Sequence, residues 1–155
     1  MDEIKAPQPL VRRFKNVFLA GSIEMGTAEK WQEKVVSALT EYNVAVYNPR
    51  RNDWDSSWTQ SIDNAQFREQ VEWELSAMNE SDIIAMHFDP ATKSPITLLE
   101  LGLHARSGKL IVCCPEGYWR KGNVDVVCAR YNVEQVPSID GLIRRIMNKI
   151  LGVRY

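Results

Sequence analysis

Four short stretches of this sequence, residues 17–20, 44–47, 82–86 and 109–114, are apolar at nearly every position, as in Val17-Phe18-Leu19-Ala20 and Leu110-Ile111-Val112-Cys113. A strand with one wet face alternates polar and apolar side chains, so runs that are apolar throughout belong to a sheet covered on both sides. Segments of helical period lie between them. Residues 27–41 space Trp31, Val35, Val36 and Leu39 along one face, with Thr27 placed as the N-cap, and residues 63–79 do the same with Phe67, Val71, Leu75 and Met78. Ser94-Pro95 opens a further helix over 94–106 that Gly108 ends. A short helix over 123–130, a fifth strand over 131–136 and an amphipathic helix over 138–151 close the chain. Strand and helix in alternation predict a doubly wound α/β sandwich, with a mainly parallel, five-stranded sheet and helices on both faces. Residues 1–13, with two prolines, Arg12 and Arg13, are expected to form a mobile arm ahead of a single domain over 14–155.

In such sheets ligands bind beyond the carboxyl ends of the strands, where the strand order reverses. That singles out residues 21–26, 48–58, 88–94 and 115–123, and most of the unusual side chains fall there. The stretch 48–61 is long for a connection, and Trp54 and Trp58 argue for a binding loop or lid over disorder.

Composition narrows the function. Nineteen basic residues against twenty acidic ones leave a net charge of −1, which supplies no cationic surface for a nucleic-acid polymer. No apolar run reaches the roughly 18–20 residues of a spanning helix and the first residues lack a secretory layout, so a cytoplasmic protein with no membrane partner is expected. Cys113, Cys114 and Cys128 form no CxxC pair and read as reduced core thiols. The two histidines, His87 and His104, have no partners at zinc spacing, so no metal and no organic cofactor are expected.

The sharpest feature is Glu100. On a helix its neighbours one turn away are Ile96 and Leu103, so its carboxylate shares an aliphatic stripe. An ionised acid is seldom buried without compensation; spacing alone leaves open an edge position, a buried ion pair or a functional group. Glu74, between Val71 and Met78 on the preceding helix, lies beside an apolar stripe in the same way. Two acids led toward one crevice would suit glycosyl chemistry, in which one carboxylate attacks the anomeric carbon and a second group manages the proton on the leaving group.

These residues resemble the nucleoside 2-deoxyribosyltransferases and the related 2'-deoxynucleoside 5'-monophosphate N-glycosidases. The resemblance covers most of the chain after residue 16. It is carried by Val17-Phe18-Leu19-Ala20-Gly21-Ser22-Ile23, by Glu74 ahead of Ser81-Asp82-Ile83-Ile84, by Ser94 through Glu100-Leu101-Gly102, and by Gly108-Lys109-Leu110-Ile111-Val112. Asn48-Pro49-Arg50-Arg51 with Trp54, and Tyr118 to Val124, which contains Asn123, resemble the corresponding stretches of an uncharacterised branch of the same superfamily. The resemblance implies a flavodoxin- or Rossmann-like domain that cleaves the N-glycosidic bond of a (deoxy)nucleoside or its 5'-monophosphate. Glu100 would be the nucleophile, forming a glutamyl glycosyl-enzyme intermediate, and Glu74 would help place the substrate and handle the proton. The sugar unit would pass to another base or to water. Gly21, Ser22 and Ile23 would bring backbone close to the sugar, with Asn48, Arg50, Trp54, Asp89, Ser94 and Asn123 as further substrate contacts. A nucleoside or nucleotide substrate, a free nucleobase acceptor and a homodimer or larger homo-oligomer are the implied partners.

Two residues pull the substrate reading apart. Ser94 stands where the transferases tend to have an aspartate and the monophosphate hydrolases a serine, which favours a nucleotide. Glu24 stands where those hydrolases tend to have an arginine, which opposes a phosphate unless Arg50, Arg51 or Arg120 meets it. Trp54 and Trp58 suit stacking on a base or pinning of the loop, and His104, four residues after Glu100, suits orientation of the nucleophile or a structural place. The competing functional class is a non-catalytic nucleotide-binding or sensing module on the same scaffold.

Overall fold

The structure is a computed structural model that describes residues 1–23, 29–51 and 55–153. Its strands are β1 (Asp2–Lys5), β2 (Lys15–Gly21), β3 (Val44–Asn48), β4 (Ile83–His87), β5 (Leu110–Cys113) and β6 (Glu134–Val136). Its helices are α1 (Trp31–Ala38), α2 (Ala65–Glu80), α3 (Pro95–His104), α4 (Lys121–Tyr131) and α5 (Ile139–Leu151). All strands pair in parallel, in the order β1-β3-β2-β4-β5-β6.

The sheet therefore has six strands where five were expected. The added strand comes from the segment read as an arm: Asp2–Lys5 pairs with Ala45 to Asn48 at the sheet's edge. Tertiary contacts continue the docking. The indole N–H of Trp73 donates to the Gln8 carbonyl at 2.8 Å, the Tyr47 hydroxyl donates to the Val11 carbonyl at 3.2 Å, and Ala6 is buried. A buried indole needs an acceptor, and the segment after β1 supplies it.

The pleat sends alternate side chains to two separate cores. Val17, Leu19, Val44, Val46, Ile83, Ala85 and Ile111 pack under α1 and α5, through Trp31, Val35, Leu142 and Ile146. Phe18, Ala20, Ala45, Tyr47, Ile84, Met86 and Val112 pack under α2, α3 and α4, through Trp73, Met78, Leu101 and Val124. Cys113, Cys114 and Cys128 are free and buried within these cores, and burial pushes their thiols up to about 12, 11 and 11, which keeps them protonated and unreactive.

Several helix ends follow from local chemistry. Asn64 caps α2, accepting from the Phe67 N–H at 2.9 Å, and Ser138 caps α5, accepting from the Gly141 N–H at 3.1 Å. The expected Thr27 cap lies outside the described residues. The strand expected over 131–136 is shorter, because α4 runs on through Tyr131 and Asn132 ends it in the left-handed conformation. Among the described residues no helix is long and apolar enough to cross a membrane.

With β1 set aside, the order β3-β2-β4-β5-β6 is that of a flavodoxin-like sheet. The chain steps outward from β2 to β3, then returns to β4 on the other side, so the carboxyl ends of β2 and β4 form the switch point.

Candidate active site

Gly21 closes β2 at that point, opposite His87 of β4. A Cβ on Gly21 would collide with the His87 carbonyl oxygen and stand 2.9 Å from a ring carbon of Trp31, so only glycine lets the strand end and the α1 side chain approach this closely. The next amide, Ser22 N–H, donates to the His87 carbonyl at 3.1 Å. The Ser22 backbone N–H is thus engaged in strand pairing. What Ser22 offers the site is its hydroxyl.

That hydroxyl belongs to a buried cluster. Ser22 Oγ accepts from the Asp89 N–H at 3.0 Å and bonds with Thr92 Oγ1 at 2.8 Å and with Ser94 Oγ. Thr92 Oγ1 in turn donates to the Asp89 carbonyl at 2.9 Å and bonds with Ser94 Oγ at 2.7 Å. Ser94 occupies the N-cap of α3 with φ 46° and makes no side-chain capping bond, while Pro95 follows at the first helical position. A non-glycine residue in the left-handed region costs about 1–2 kcal/mol. The hydroxyl cluster draws Ser94 toward the end of β2 and opens α3 at the site.

Beside this cluster lies a cavity of about 470 Å³, bounded by the end of β2, α2 and α3, a volume in the range of small-molecule sites. Gly21, Ser22, Ile23, Ser94, Glu74 and Glu100 line it together with apolar side chains such as Phe67, Val71, Leu75 and Leu99. Glu100 is only 7% exposed. Burial first, and the nearby Glu74 charge second, push its carboxyl up to about 8. Glu74 is pushed up to about 6 by burial, against the opposing effect of Gln70, whose Nε2 donates to Glu74 Oε1 at 2.6 Å. Two acids held in a largely apolar hollow titrate as a pair. Both shifts run upward, so burial lets the pair keep a proton to higher pH than free glutamates do.

The other residues singled out by sequence lie elsewhere. Asn48 is buried, donating to Glu3 Oε1 at 2.8 Å and accepting from the Arg50 N–H at 3.1 Å. Arg50 donates to Gln32 Oε1 at 3.3 Å. Asp89 uses its carboxylate to accept from the Ala91 and Glu29 N–H groups at 2.8 and 2.9 Å. None of these three lines the cavity, nor does Asn123, which is exposed on the first turn of α4. Trp54 lies outside the described residues. Trp58 packs with Arg51, whose guanidinium stands 5.2 Å from the ring centre, and Arg120 stacks on Trp119 at 4.2 Å.

Neither histidine faces Glu100. His87 sits on the opposite side of the sheet with its ring centre 5.5 Å from that of Trp31, and burial lowers its pKa. His104 does not line the cavity, and burial and Lys109 lower its pKa. Conversely, Gln70, Thr92 and Thr97 are buried polar residues at or behind the cavity that sequence reasoning passed over. Gln70 had a signal available, since it stands one helical turn before Glu74.

Solved structures share this architecture. One is the CMP N-glycosidase BcmB of Clostridium botulinum, at 20% identity and a TM-score of 0.54, covering 86% of this chain and 98% of its own. Another is a conserved protein of Enterococcus faecalis, at 14% identity and a TM-score of 0.61, covering 87% of this chain and 98% of its own. At these identities the likeness is one of fold. No curated protein matches the chain. Residues 14–118, which run from the start of β2 past β5 and contain both acids and the hydroxyl cluster, match the family described as nucleoside 2-deoxyribosyltransferase like. The chain belongs to that family.

Proposed function

We propose that this protein cleaves the N-glycosidic bond of a (deoxy)nucleoside through a glutamyl glycosyl-enzyme intermediate and passes the sugar to another base or to water. The observation that carries this reading is the pairing of Glu100 and Glu74 in one largely apolar cavity at the switch point of the sheet. The single proton that the pair retains near neutrality is what the chemistry consumes. Its transfer to the departing base, directly or by way of Glu74, frees the Glu100 carboxylate. A bond then forms between Glu100 and C1' as the C1'–N bond breaks. Water or a second base next attacks C1', releases Glu100 and returns a proton to the pair. Because this needs the singly protonated pair, turnover should follow a bell in pH with limbs near about 6 and about 8.

Among the described residues, the cavity lining contains these two acids and no basic side chain. Of the three arginines named for a phosphate, Arg50 and Arg120 are engaged with Gln32 and Trp119, and Arg51 with Gln70 and Trp58. An uncharged nucleoside therefore suits this lining better than a dianionic 5'-monophosphate, although BcmB by its description acts on CMP.

The test is to incubate the protein with ribo- and deoxyribonucleosides and their monophosphates, with and without a free base, and to follow base release by chromatography. Release from nucleosides, loss of at least about a thousandfold in rate for Glu100→Gln, and new nucleoside when a base is supplied support transfer. Ligand that binds tightly and survives intact would instead favour a sensing module, and a fully active Glu100→Gln would remove Glu100 from the mechanism.

A further inference from the structure

Gln70 lies on α2 one turn before Glu74 and is buried, 4% exposed. Its three polar contacts leave its amide a single sensible orientation. Nε2 donates to the Pro49 carbonyl at 3.1 Å and to Glu74 Oε1 at 2.6 Å. Oε1 accepts from Arg51 Nη1 at 3.4 Å. Turning the amide over would set its oxygen against a carbonyl and a carboxylate, both acceptors, and its NH2 against a guanidinium, which has only donors. The loop after β3 thus fixes the direction of the amide, and the amide fixes what Glu74 meets.

We propose that Gln70 is a positioning residue of the site, locked by Pro49 and Arg51 so that its N–H holds Glu74 as the charged member of the acid pair. A donor aimed at a carboxylate in a hollow with little water favours the ionised form. Among the described residues, the other charged groups around Glu74 are Glu100 on α3, which disfavours a second charge, and Arg51, which acts through Gln70; the end of β2, from Ala20 to Ile23, carries none. Gln70 thereby separates the two acids, keeping Glu74 the first to lose its proton and Glu100 the last. Because Arg51 also packs on Trp58, the long loop after β3 is tied to the protonation of the site through one side chain.

The inference rests on the proposed glycosyl chemistry only for its effect on rate, and carboxyl titration reads it without turnover. Carbon-13 NMR of glutamate carboxyls, assigned with Glu74→Gln and Glu100→Gln, would follow both acids in the wild-type protein, in Gln70→Leu and in Arg51→Met. The expected result is an upward move of the Glu74 midpoint by about 1 pH unit in Gln70→Leu and a smaller upward move in Arg51→Met. In the wild type, the Gln70 side-chain amide protons should shift with the Glu74 midpoint, a measurement that stands even if Gln70→Leu fails to fold. An unmoved Glu74 midpoint in folded Gln70→Leu, or amide protons blind to that titration, overturns the proposal. With an active enzyme, the acid limb of kcat/KM should rise by the same interval in Gln70→Leu, whereas a merely structural Gln70 would lower the rate equally at every pH. A wild-type protein with no turnover defeats the glycosyl reading and leaves the titration to decide the place of Gln70.

Discussion

A buried carboxyl whose proton is held too tightly couples the site to the stability of the whole domain. Glu100 goes from an ordinary 4.5 to about 8 on folding. The native state binds this proton more strongly than the unfolded chain does, so the stabilisation is complete below 4.5 and is lost as pH rises through 8. Replacing Glu100 by the neutral glutamine removes that loss. Calorimetry should find Glu100→Gln and wild type similar near pH 5, with the variant melting roughly 5 °C or more higher near pH 9. An equal difference at both values would mean that the carboxyl is not taking up charge in a dry place. Spacing alone placed Glu74 and Glu100 beside apolar stripes, and both line the cavity. Adjacency to strand ends was a poorer guide. Asn48 and Asp89 sit where ligands are met in this architecture, yet their polar atoms are spent on loop backbone and on Glu3. Short polar side chains in loops satisfy local amides first, and a sequence does not show which amides those are.

At the level of elements, the interior strands were legible because nearly all of their side chains are covered, which leaves a run no other structure explains well. The edge strand β1 was not. Asp2-Glu3-Ile4-Lys5 is short and mostly charged, as edge strands often are, and only its pairing with Ala45 to Asn48 makes it a strand. The meeting of β2 and β4 was half legible. Gly21 marked the turn, but its reason lies across the sheet, in the His87 carbonyl and the Trp31 ring. Gly21→Ala should therefore force these elements apart and cost on the order of 1–3 kcal/mol in denaturant unfolding, with loss of any activity through displacement of Ser22. A variant as stable as wild type would show that the approach can relax. Helix α3 shows how one element serves two purposes: Leu101 and Glu100 point inward, while Ile96, Leu99 and Leu103 are 59%, 59% and 56% exposed.

That outward stripe belongs to the whole molecule. Spaced by three and four residues, it forms one continuous apolar edge at the rim of the cavity, together with Val71 on α2. Contiguous exposed apolar surface of this kind marks contact sites. The homo-oligomer implied by the family resemblance is testable at this stripe. The final helix α5, by contrast, buries Leu142, Ile146 and Ile150 against the sheet. Sedimentation at micromolar protein should report a dimer, and Leu99→Glu should shift it toward monomer; a wild type that stays monomeric at high concentration removes the self-association. The opposite border of the sheet raises a separate matter. Because β1 zips along β3, it covers a ladder of amides and carbonyls that would otherwise be sticky. Deleting β1 would bare that ladder and invite clumping, so residues 2–5 bear on solubility although they lie outside the core.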